Sequence, residues 1–379
     1  MKLLFIAHET SRTGAPMVLL HFLKWVKINK PEIIVDILAI NTGNLEEEFK
    51  NSCMHYYPYH ILTKPKKITI FQRLLIKFGL LKKRNYDEEL LQSLSGNNYS
   101  LIYANTIASV KLACRITSKN INSKLLVHVH ELNALINIML PDFNDYLRSI
   151  DQFIVPSKLV KTSLVNNWFI KPNCINVVYE CTEIDKVVAK DSKDISKTFI
   201  VGASGTVHWR KGYDVFLQVA RYINSNYPNA NIKFVWVGRV LSNEKNILEA
   251  DIQKLELQNK VFFTGEVENP SHYYNDFDIF VMPSREDPFP LVCIEVGMLG
   301  KPIISFDKAV GTNEILIQGG GFIAPYLSIE SMANHIIDYY NNPDLIKKHG
   351  AINKKVFSQF TPENICPQLF EIIEAQIKA

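Results

Sequence analysis

Several features that define familiar protein classes are missing from these 379 residues. The six cysteines are scattered and form no C-x-x-C pair, so they are expected to be buried free thiols in a reducing compartment. No apolar run approaches the ~18 residues that a membrane span needs. The opening run from Met1 to Ala7 is too short for a signal peptide. We therefore expect a protein that is made and kept in the cytoplasm.

The sequence also has little that favours a dinucleotide or a nucleic acid as ligand. G-x-G-x-x-G does not follow the first predicted strand, so a dinucleotide site is poorly supported. Basic residues are not interleaved with stacking aromatics, so we expect no nucleic-acid partner. No repeat with a period of roughly 20–50 residues is evident, so a repeat architecture is not predicted.

The chain does have enough length and apolar content for two domains. Hydrophobic residues make up 47% of the sequence, which is ample for buried cores. The net charge of +4 is uneven, because residues 1–183 carry +7 and residues 184–379 carry −3. A basic first half favours a negatively charged partner there, such as membrane headgroups or an acidic glycan.

Short apolar runs alternate with helical patterns in both halves, which is typical of α/β domains with parallel sheets. The chain opens with a strand at Leu3–Ala7, a loop that contains Gly14, and a helix. The second half repeats this architecture from Thr198 onward. Residues 180–197 are polar and weakly periodic, so the domain boundary is predicted there.

The most informative stretch is residues 280–304, which predicts a strand, a loop, a helix and a second strand. The acidic loop follows a buried strand, where ligands bind in open α/β sheets. The helix start near Leu291 offers unpaired N–H groups and a partial positive charge, which suit a phosphate. Glu295 is placed to reach a sugar hydroxyl pair, and Asp287, eight positions earlier, a second set. Phosphate and polyol in one ligand indicate a nucleotide sugar.

A second candidate element is the glycine loop 202–206, which Arg210, Lys211 and Gly212 follow. Backbone N–H groups and two adjacent cations together can cradle a diphosphate. His128 and His130 share one face of another predicted strand. No third ligand at useful spacing is visible, so a metal site is not predicted.

Residues 61–86, called the basic segment below, differ from the rest because they contain no acid. An apolar stripe at helical spacing accompanies the cations. The segment is predicted to be either a membrane-surface helix or an ordinary surface helix with a cationic face. Its cations are Lys64, Lys66, Lys67, Arg73, Lys77, Lys82, Lys83 and Arg84.

The stretch 280–304 resembles the acidic motif of family 4 glycosyltransferases, which are retaining enzymes with the two-Rossmann GT-B fold. The family pattern is Glu, seven residues and Glu, with Phe-Pro-Leu-Val inside. Residues 289–292 and Glu295 match it, and Asp287 takes the place of the first acid, with Glu286 one position earlier. Either of these two acids is a candidate for contact with the donor sugar.

The resemblance extends to other loops. Lys211-Gly212 matches the family's G-R-L…K-G element, but Thr206 occupies the usual arginine position. Either Arg210 replaces that arginine or the charge is missing. Gly265 resembles the loop that meets the nucleobase. Gly14 resembles the loop whose backbone faces the donor phosphate. His130 resembles the histidine that faces the donor sugar.

The resemblance therefore implies an α/β protein with two Rossmann-like domains whose parallel sheets face each other across a cleft. An acceptor-binding domain would span 1–183, a nucleotide-sugar-binding domain 184–360, and a helix over 361–379 would return to the first domain. The implied catalytic residues are Arg210, Lys211, Asp287 and His130. The implied donor-binding residues are Gly14, Thr206, Gly265, Glu286, Pro290, Leu291, Val292 and Glu295.

The expected reaction moves a sugar, with retention, from a nucleotide diphosphate sugar to a glycan or lipid-linked acceptor, in bacterial surface polysaccharide synthesis. No metal or other cofactor is expected. An attachment of the basic segment to the inner face of the membrane remains one alternative. Two other functions stay open, namely a sugar-nucleotide epimerase or phosphorylase on the same fold, and a non-catalytic binding or scaffolding subunit.

Overall fold

The computed structural model describes residues 1–66, 69–120, 122–183 and 198–378. The chain divides into two compact units. Unit 1 comprises Met1–Val155, Leu164–Asn176 and Cys366–Ala379, and unit 2 comprises Pro156–Ser163 and Val177–Ile365. Most of the predicted boundary segment, 184–197, lies outside the described residues, as does Lys67 of the basic segment.

The sheet of unit 1 has seven strands within the described ranges, in the order β3-β2-β1-β4-β5-β6-β7. The pairs from β3 through to β6 are parallel. The strands are β1 (Lys2–Ala7), β2 (Ile34–Ala39), β3 (His55–Pro58), β4 (Leu101–Asn105), β5 (Lys124–His128), β6 (Gln152–Val155) and β7 (Ile175–Val177). Residues 3–7 are fully buried, as expected for a strand covered on both faces.

The helices that accompany these strands begin with α1, which opens at Gly14. They are α1 (Gly14–Asn29), α2 (Glu46–Asn51), α3 (Tyr59–Leu62), α4 (Ile70–Lys77), α5 (Tyr86–Ser95), α6 (Val110–Thr117), α7 (Asn133–Met139) and α8 (Lys158–Trp168). Helix α4 is shorter than the apolar stripe of the basic segment, which runs from Ile70 to Leu81. It ends at Lys77 because Gly79 adopts a left-handed φ of +74°.

The sheet of unit 2 has six strands in the part of the chain that the structure describes, in the order β10-β9-β8-β11-β12-β13. All of its pairs are parallel. The strands are β8 (Phe199–Ser204), β9 (Ile232–Val237), β10 (Val261–Phe263), β11 (Ile279–Met282), β12 (Ile303–Phe306) and β13 (Gly321–Ala324).

The later helices cover unit 2, and the last one ends in unit 1. They are α9 (Tyr213–Asn226), α10 (Ser242–Lys254), α11 (Ser271–Asp276), α12 (Leu291–Met298), α13 (Asn313–Leu316), α14 (Ile329–Asn341), α15 (Pro343–Phe357) and α16 (Pro362–Lys378). Within unit 1, Phe370 of α16 packs on Trp25 of α1 with ring centroids 5.9 Å apart.

Both strand orders correspond to the Rossmann order 3-2-1-4-5-6. The prediction of an α/β chain with two Rossmann-like parallel sheets is confirmed. In each sheet the order reverses beside the first strand, between β1 and β4 and between β8 and β11. Ligands of open α/β sheets bind outside the carboxyl ends of the strands at such a point. The loops after β8 and β11 are therefore the first place to look for a site in unit 2.

A search of the described residues finds no helix with the length and apolar character needed to cross a membrane.

Candidate functional site

The loop after β8 carries two cations into contact with the loop after β11. It leads into a 3-10 turn, Trp209–Lys211, and then to Gly212, whose φ is +74°. A Cβ atom on Gly212 would lie 2.0 Å from the carbonyl oxygen of Pro283, so only glycine allows this approach of the two loops. The backbone conformation and the close contact with Pro283 thus both require glycine after Lys211.

Arg210, Lys211 and Asp287, called the ionic cluster below, meet at this contact. The Lys211 Nζ atom lies 2.7 Å from Asp287 Oδ2, and Arg210 Nη1 lies 3.4 Å from Asp287 Oδ1. Ser284 Oγ donates a hydrogen bond of 3.0 Å to Asp287 Oδ2. Arg210 Nη1 also donates to the carbonyl oxygen of Glu286 at 2.8 Å.

The electrostatics of the ionic cluster leave one positive charge in excess. Burial alone would raise the pKa of Asp287, but the charges of Lys211 and Arg210 outweigh it and hold that pKa below its ordinary value. The carboxylate is therefore ionised. Burial lowers the pKa of Lys211, while the Asp287 charge opposes that effect. Two cations against one carboxylate make a partly desolvated site that favours an anion.

Arg285 braces the turn that carries the two cations. Its guanidinium donates two hydrogen bonds to Asp214, at 2.9 and 2.8 Å, and lies over the Trp209 ring, 5.3 Å from its centroid. The guanidinium also donates to the carbonyl oxygen of Trp209 at 2.8 Å. The backbone N–H of Arg285 donates to the carbonyl oxygen of Arg210, also at 2.8 Å. This pair was not predicted from the sequence, because Arg285 and Asp214 are 71 positions apart and match no motif.

Helix α12 begins beside the ionic cluster in sequence and has no acidic residue in its first turn. Pro290 is its N-cap residue, and Leu291 and Val292 are half-buried in its first turn. The first-turn N–H groups of a helix have no intrahelical acceptor, which suits an anion. The preceding loop is held by backbone bonds, since Asp287 N donates to Ala309 O at 2.7 Å.

Glu295, in the second turn of α12, is half-buried and has a strongly shifted acidity. Burial raises the pKa of Glu295 to about 7, and a hydrogen bond from Thr182 opposes the shift. Glu295 in turn helps to raise the pKa of Tyr274, second to the effect of burial, and the Tyr274 hydroxyl contacts Ser204 Oγ at 2.8 Å. A partly desolvated carboxyl group that is only partly ionised at neutral pH is suited to bind hydroxyl groups.

Three other residues predicted for unit 2 lie in neighbouring loops. Gly265 has a φ of +76°, which favours glycine, and its carbonyl oxygen accepts a bond of 3.1 Å from Gly238 N. Thr206 is half-buried in the loop after β8. Glu286 is half-buried, and its carbonyl oxygen is an acceptor for Arg210 as described above.

In unit 1, one side-chain amide joins His130 to Ala15, the residue that follows Gly14. Asn105, at the end of β4, donates from Nδ2 to the Ala15 carbonyl oxygen at 3.1 Å. Its Oδ1 atom is therefore the acceptor that faces His130 Nε2 at 2.9 Å, which assigns the proton to Nε2. A Cβ atom added to Gly14 would meet nothing within 4 Å, so packing does not require glycine there.

The residue after Asn105 marks the same strand end as unusual. Thr106 has a φ of +78°, which is rare for a β-branched residue and typical of functional sites. Nearby, burial lowers the pKa of His128 well below its ordinary value, and its Nδ1 atom contacts the Tyr103 hydroxyl at 2.6 Å. His128 is therefore a neutral core residue, and its ring centroid lies 3.9 Å from that of His130.

Comparison with known proteins agrees with this architecture. Residues 186–356 match the family model described as glycosyl transferases group 1. The crystal structure of HepE from Anabaena, in complex with UDP and glucose, superposes with a TM-score of 0.79 at 19% sequence identity and covers 99% of both chains. The chain has the GT-B fold.

Two curated proteins of similar sequence are named as glycosyltransferases. An uncharacterized glycosyltransferase of Haemophilus influenzae is 27% identical over 241 residues, which are 62% of this chain and 66% of that protein. The lipopolysaccharide 1,2-N-acetylglucosaminetransferase of Salmonella typhimurium is 25% identical over 336 residues, 80% of each chain. The chain spans 52% to 66% of the length of the first curated relatives it matches. The chain is therefore similar in sequence to glycosyltransferases and shares the GT-B fold.

Proposed function

We propose that this GT-B protein is a family 4 retaining glycosyltransferase that uses a nucleotide diphosphate sugar. The observation that carries the proposal is the ionic cluster of Arg210, Lys211 and Asp287, held at the Rossmann switch point of unit 2. It combines an excess positive charge with a nearby helix start, which is the chemistry that a diphosphate requires.

In this proposal Arg210 and Lys211 bind the diphosphate and stabilise it as it leaves. Cleavage of the bond between the anomeric carbon and the β-phosphate oxygen places an additional negative charge on the diphosphate. Preorganised cations and the first-turn N–H groups of α12 would stabilise that charge, which is usually the largest contribution to catalysis. Two cations supply this stabilisation without a metal ion. Arg210 thereby takes the role of the arginine that the family usually has at the position of Thr206.

The two acids of the loop have different roles in the proposal. The carboxylate of Asp287 is engaged by Lys211, Arg210 and Ser284, so we assign it to positioning the cations. Glu286 is then the acid that contacts the donor sugar.

A pH–rate profile of Asp287→Asn tests the positioning role of Asp287, because loss of the Asp287 charge lowers the pKa of Lys211. The alkaline limb of the pH–rate profile should therefore move to lower pH in Asp287→Asn. Glu286→Gln should leave the alkaline limb unchanged.

Glu295 is proposed to hold the ribose hydroxyl pair. Hydrogen bonds from hydroxyl groups favour the ionised carboxylate. Donor binding should therefore release a proton from Glu295 near neutral pH. Gly265 would face the nucleobase. In unit 1, the start of α1 at Gly14 would face the donor phosphate and His130 the donor sugar.

The relatives narrow the substrates to be tested first. A solved structure of similar fold contains UDP and glucose, and the Salmonella relative is named as a lipopolysaccharide N-acetylglucosaminetransferase. We therefore propose UDP as the first nucleotide to test and a bacterial surface glycan or lipid-linked saccharide as acceptor.

The decisive experiment is a thermal-shift panel of UDP, GDP, ADP, CMP and dTDP. It compares the wild type with Lys211→Gln and Glu295→Ala, and with Lys254→Gln, an exposed lysine of α10, as control. A ligand at 100 times its dissociation constant should stabilise the protein by about 2.7 kcal/mol. One nucleotide should stabilise the wild type and the control but neither site variant.

Turnover separates the alternative functions. The matching nucleotide sugar should release nucleoside diphosphate in the presence of a glycan acceptor. Isomerisation of the sugar without release would instead assign an epimerase. Nucleotide binding without any loss of the sugar would favour a non-catalytic subunit. No response to any nucleotide in the panel would contradict the proposed donor site.

A further inference from the structure

The basic segment presents an unusual group of apolar side chains to solvent. Ile70, Phe71 and Phe78 are 79%, 68% and 72% exposed, and Leu80 is 74% exposed. Large apolar residues are normally exposed singly rather than in such a group. The remaining exposed members between residues 61 and 81 are Ile61, Leu62, Leu74 and Leu81.

In and just after helix α4, the exposed apolar side chains lie on one side of the helix. Phe71, Leu74 and the following Phe78 recur at helical spacing on the exposed side, whereas Leu75 and Ile76 are only half exposed. The helix thus rests on the protein along one edge and offers an apolar face outward. At eight residues and about 12 Å, it is far too short to cross a bilayer.

The charge around this face has one sign. The basic segment contains no acid. Arg73, Lys77, Lys82 and Lys83 are exposed, and none forms an ion pair with a residue that the structure describes. Arg84, in contrast, is held by Glu89 at 2.6 Å. Cations without acidic partners on the same surface leave that surface free to meet a polyanion.

We propose that the exposed face of the basic segment docks reversibly on an anionic phospholipid bilayer. A bilayer offers phosphates and, a few ångströms deeper, an apolar layer, and the segment offers cations beside apolar side chains. Phe71 and Phe78 enter the boundary between headgroups and acyl chains, and the four unpaired cations contact lipid phosphates. The proposal does not depend on the donor site, because every residue involved belongs to unit 1.

Co-sedimentation of the full chain with phosphatidylcholine vesicles, with and without phosphatidylglycerol, tests this proposal. One variant combines Arg73→Gln, Lys77→Gln, Lys82→Gln and Lys83→Gln. A second combines Phe71→Ser with Phe78→Ser. The matched control removes four exposed cations of α15 in unit 2. Its changes are Lys347→Gln, Lys348→Gln, Lys354→Gln and Lys355→Gln.

The wild type and the α15 control should bind anionic vesicles, and binding should fall with added salt. Each cation near an anionic surface strengthens binding about fivefold, so the four-cation variant should bind roughly 600-fold more weakly. The Phe71→Ser, Phe78→Ser variant should also lose binding while its melting temperature stays unchanged, because both side chains are exposed.

Three results would overturn the proposal. Equal binding to neutral vesicles would remove the electrostatic basis. An equal loss in the α15 control would assign binding to net charge. Absence of vesicle binding, together with self-association that Phe71→Ser and Phe78→Ser abolish, would show that a second copy of the chain covers the face.

Discussion

Asp287→Asn tests whether the ionic cluster is a buried ion pair that stabilises unit 2. The Asp287 side chain is 6% exposed, and those of Lys211 and Arg210 are 17% and 24% exposed. Asparagine keeps the size of the side chain but removes the only carboxylate charge of the cluster. Two adjacent, mostly buried cations are then left without their counter-charge.

The expected cost follows from burial. Removing one partner of a fully buried ion pair costs about 3–5 kcal/mol. Solvent still reaches the two cations, and the amide oxygen can still accept a hydrogen bond, so we expect about 2–3 kcal/mol. For a domain of this size that corresponds to a fall in melting temperature of roughly 4–12 °C.

Asp214→Asn is the matched control, because Asp214 also pairs with an arginine but is 44% exposed. Exposed pairs contribute about 0–1 kcal/mol, so its melting temperature should fall by less than about 4 °C. Differential scanning calorimetry of both variants makes the comparison. A bound nucleoside diphosphate should stabilise Asp287→Asn more than the wild type, since it replaces the missing negative charge. Equal costs for the two variants would refute the buried-pair reasoning.

The remaining predictions concern a pH effect, two glycines and a bracing arginine. Because folding raises the pKa of Glu295 from 4.5 to about 7, its contribution to stability is full below pH 4.5 and is lost as the pH rises through 7. Glu295→Gln should therefore be more stable than the wild type at pH 8, by up to about 3 kcal/mol. Melting curves that show no such gain of the variant over the wild type between pH 4.5 and pH 8 would contradict this. Gly212→Ala should destabilise the fold by at least about 2 kcal/mol, whereas Gly14→Ala should change stability by less than about 0.5 kcal/mol. Urea titrations of the two variants test whether the contact of Gly212 with Pro283 requires glycine. Arg285→Lys, which loses the paired hydrogen bonds, should weaken nucleotide binding while a control change at Lys254 does not, as titration calorimetry would reveal.

The sequence already contained most of the fold. Strands buried on both faces must be apolar throughout, so β1 and β11 are visible as short apolar runs. Their alternation with helical patterns predicted the parallel sheets. The helix start at Leu291 followed from Pro290 and the change in apolar period.

Part of the site was also open to prediction, because short motifs record local backbone demands. The glycine after Lys211 is one example, since its left-handed conformation and its approach to Pro283 exclude a side chain. The residues of α12 that we propose to bind the donor are another, because they follow one another along a single helix. The end of α4 could not be predicted from the apolar stripe, because one left-handed glycine ends the helix inside that stripe.

Contacts between distant segments could not be predicted in this way. Lys211 and Asp287 are 76 positions apart, and they meet because β8 and β11 are neighbours in the sheet. The same adjacency brings Arg285 to Asp214. Burial, and with it the raised pKa of Glu295, depends on everything packed around the carboxyl group. Periodicity and motifs report what a residue requires of its neighbours in the chain, whereas charge pairing and desolvation depend on neighbours in space.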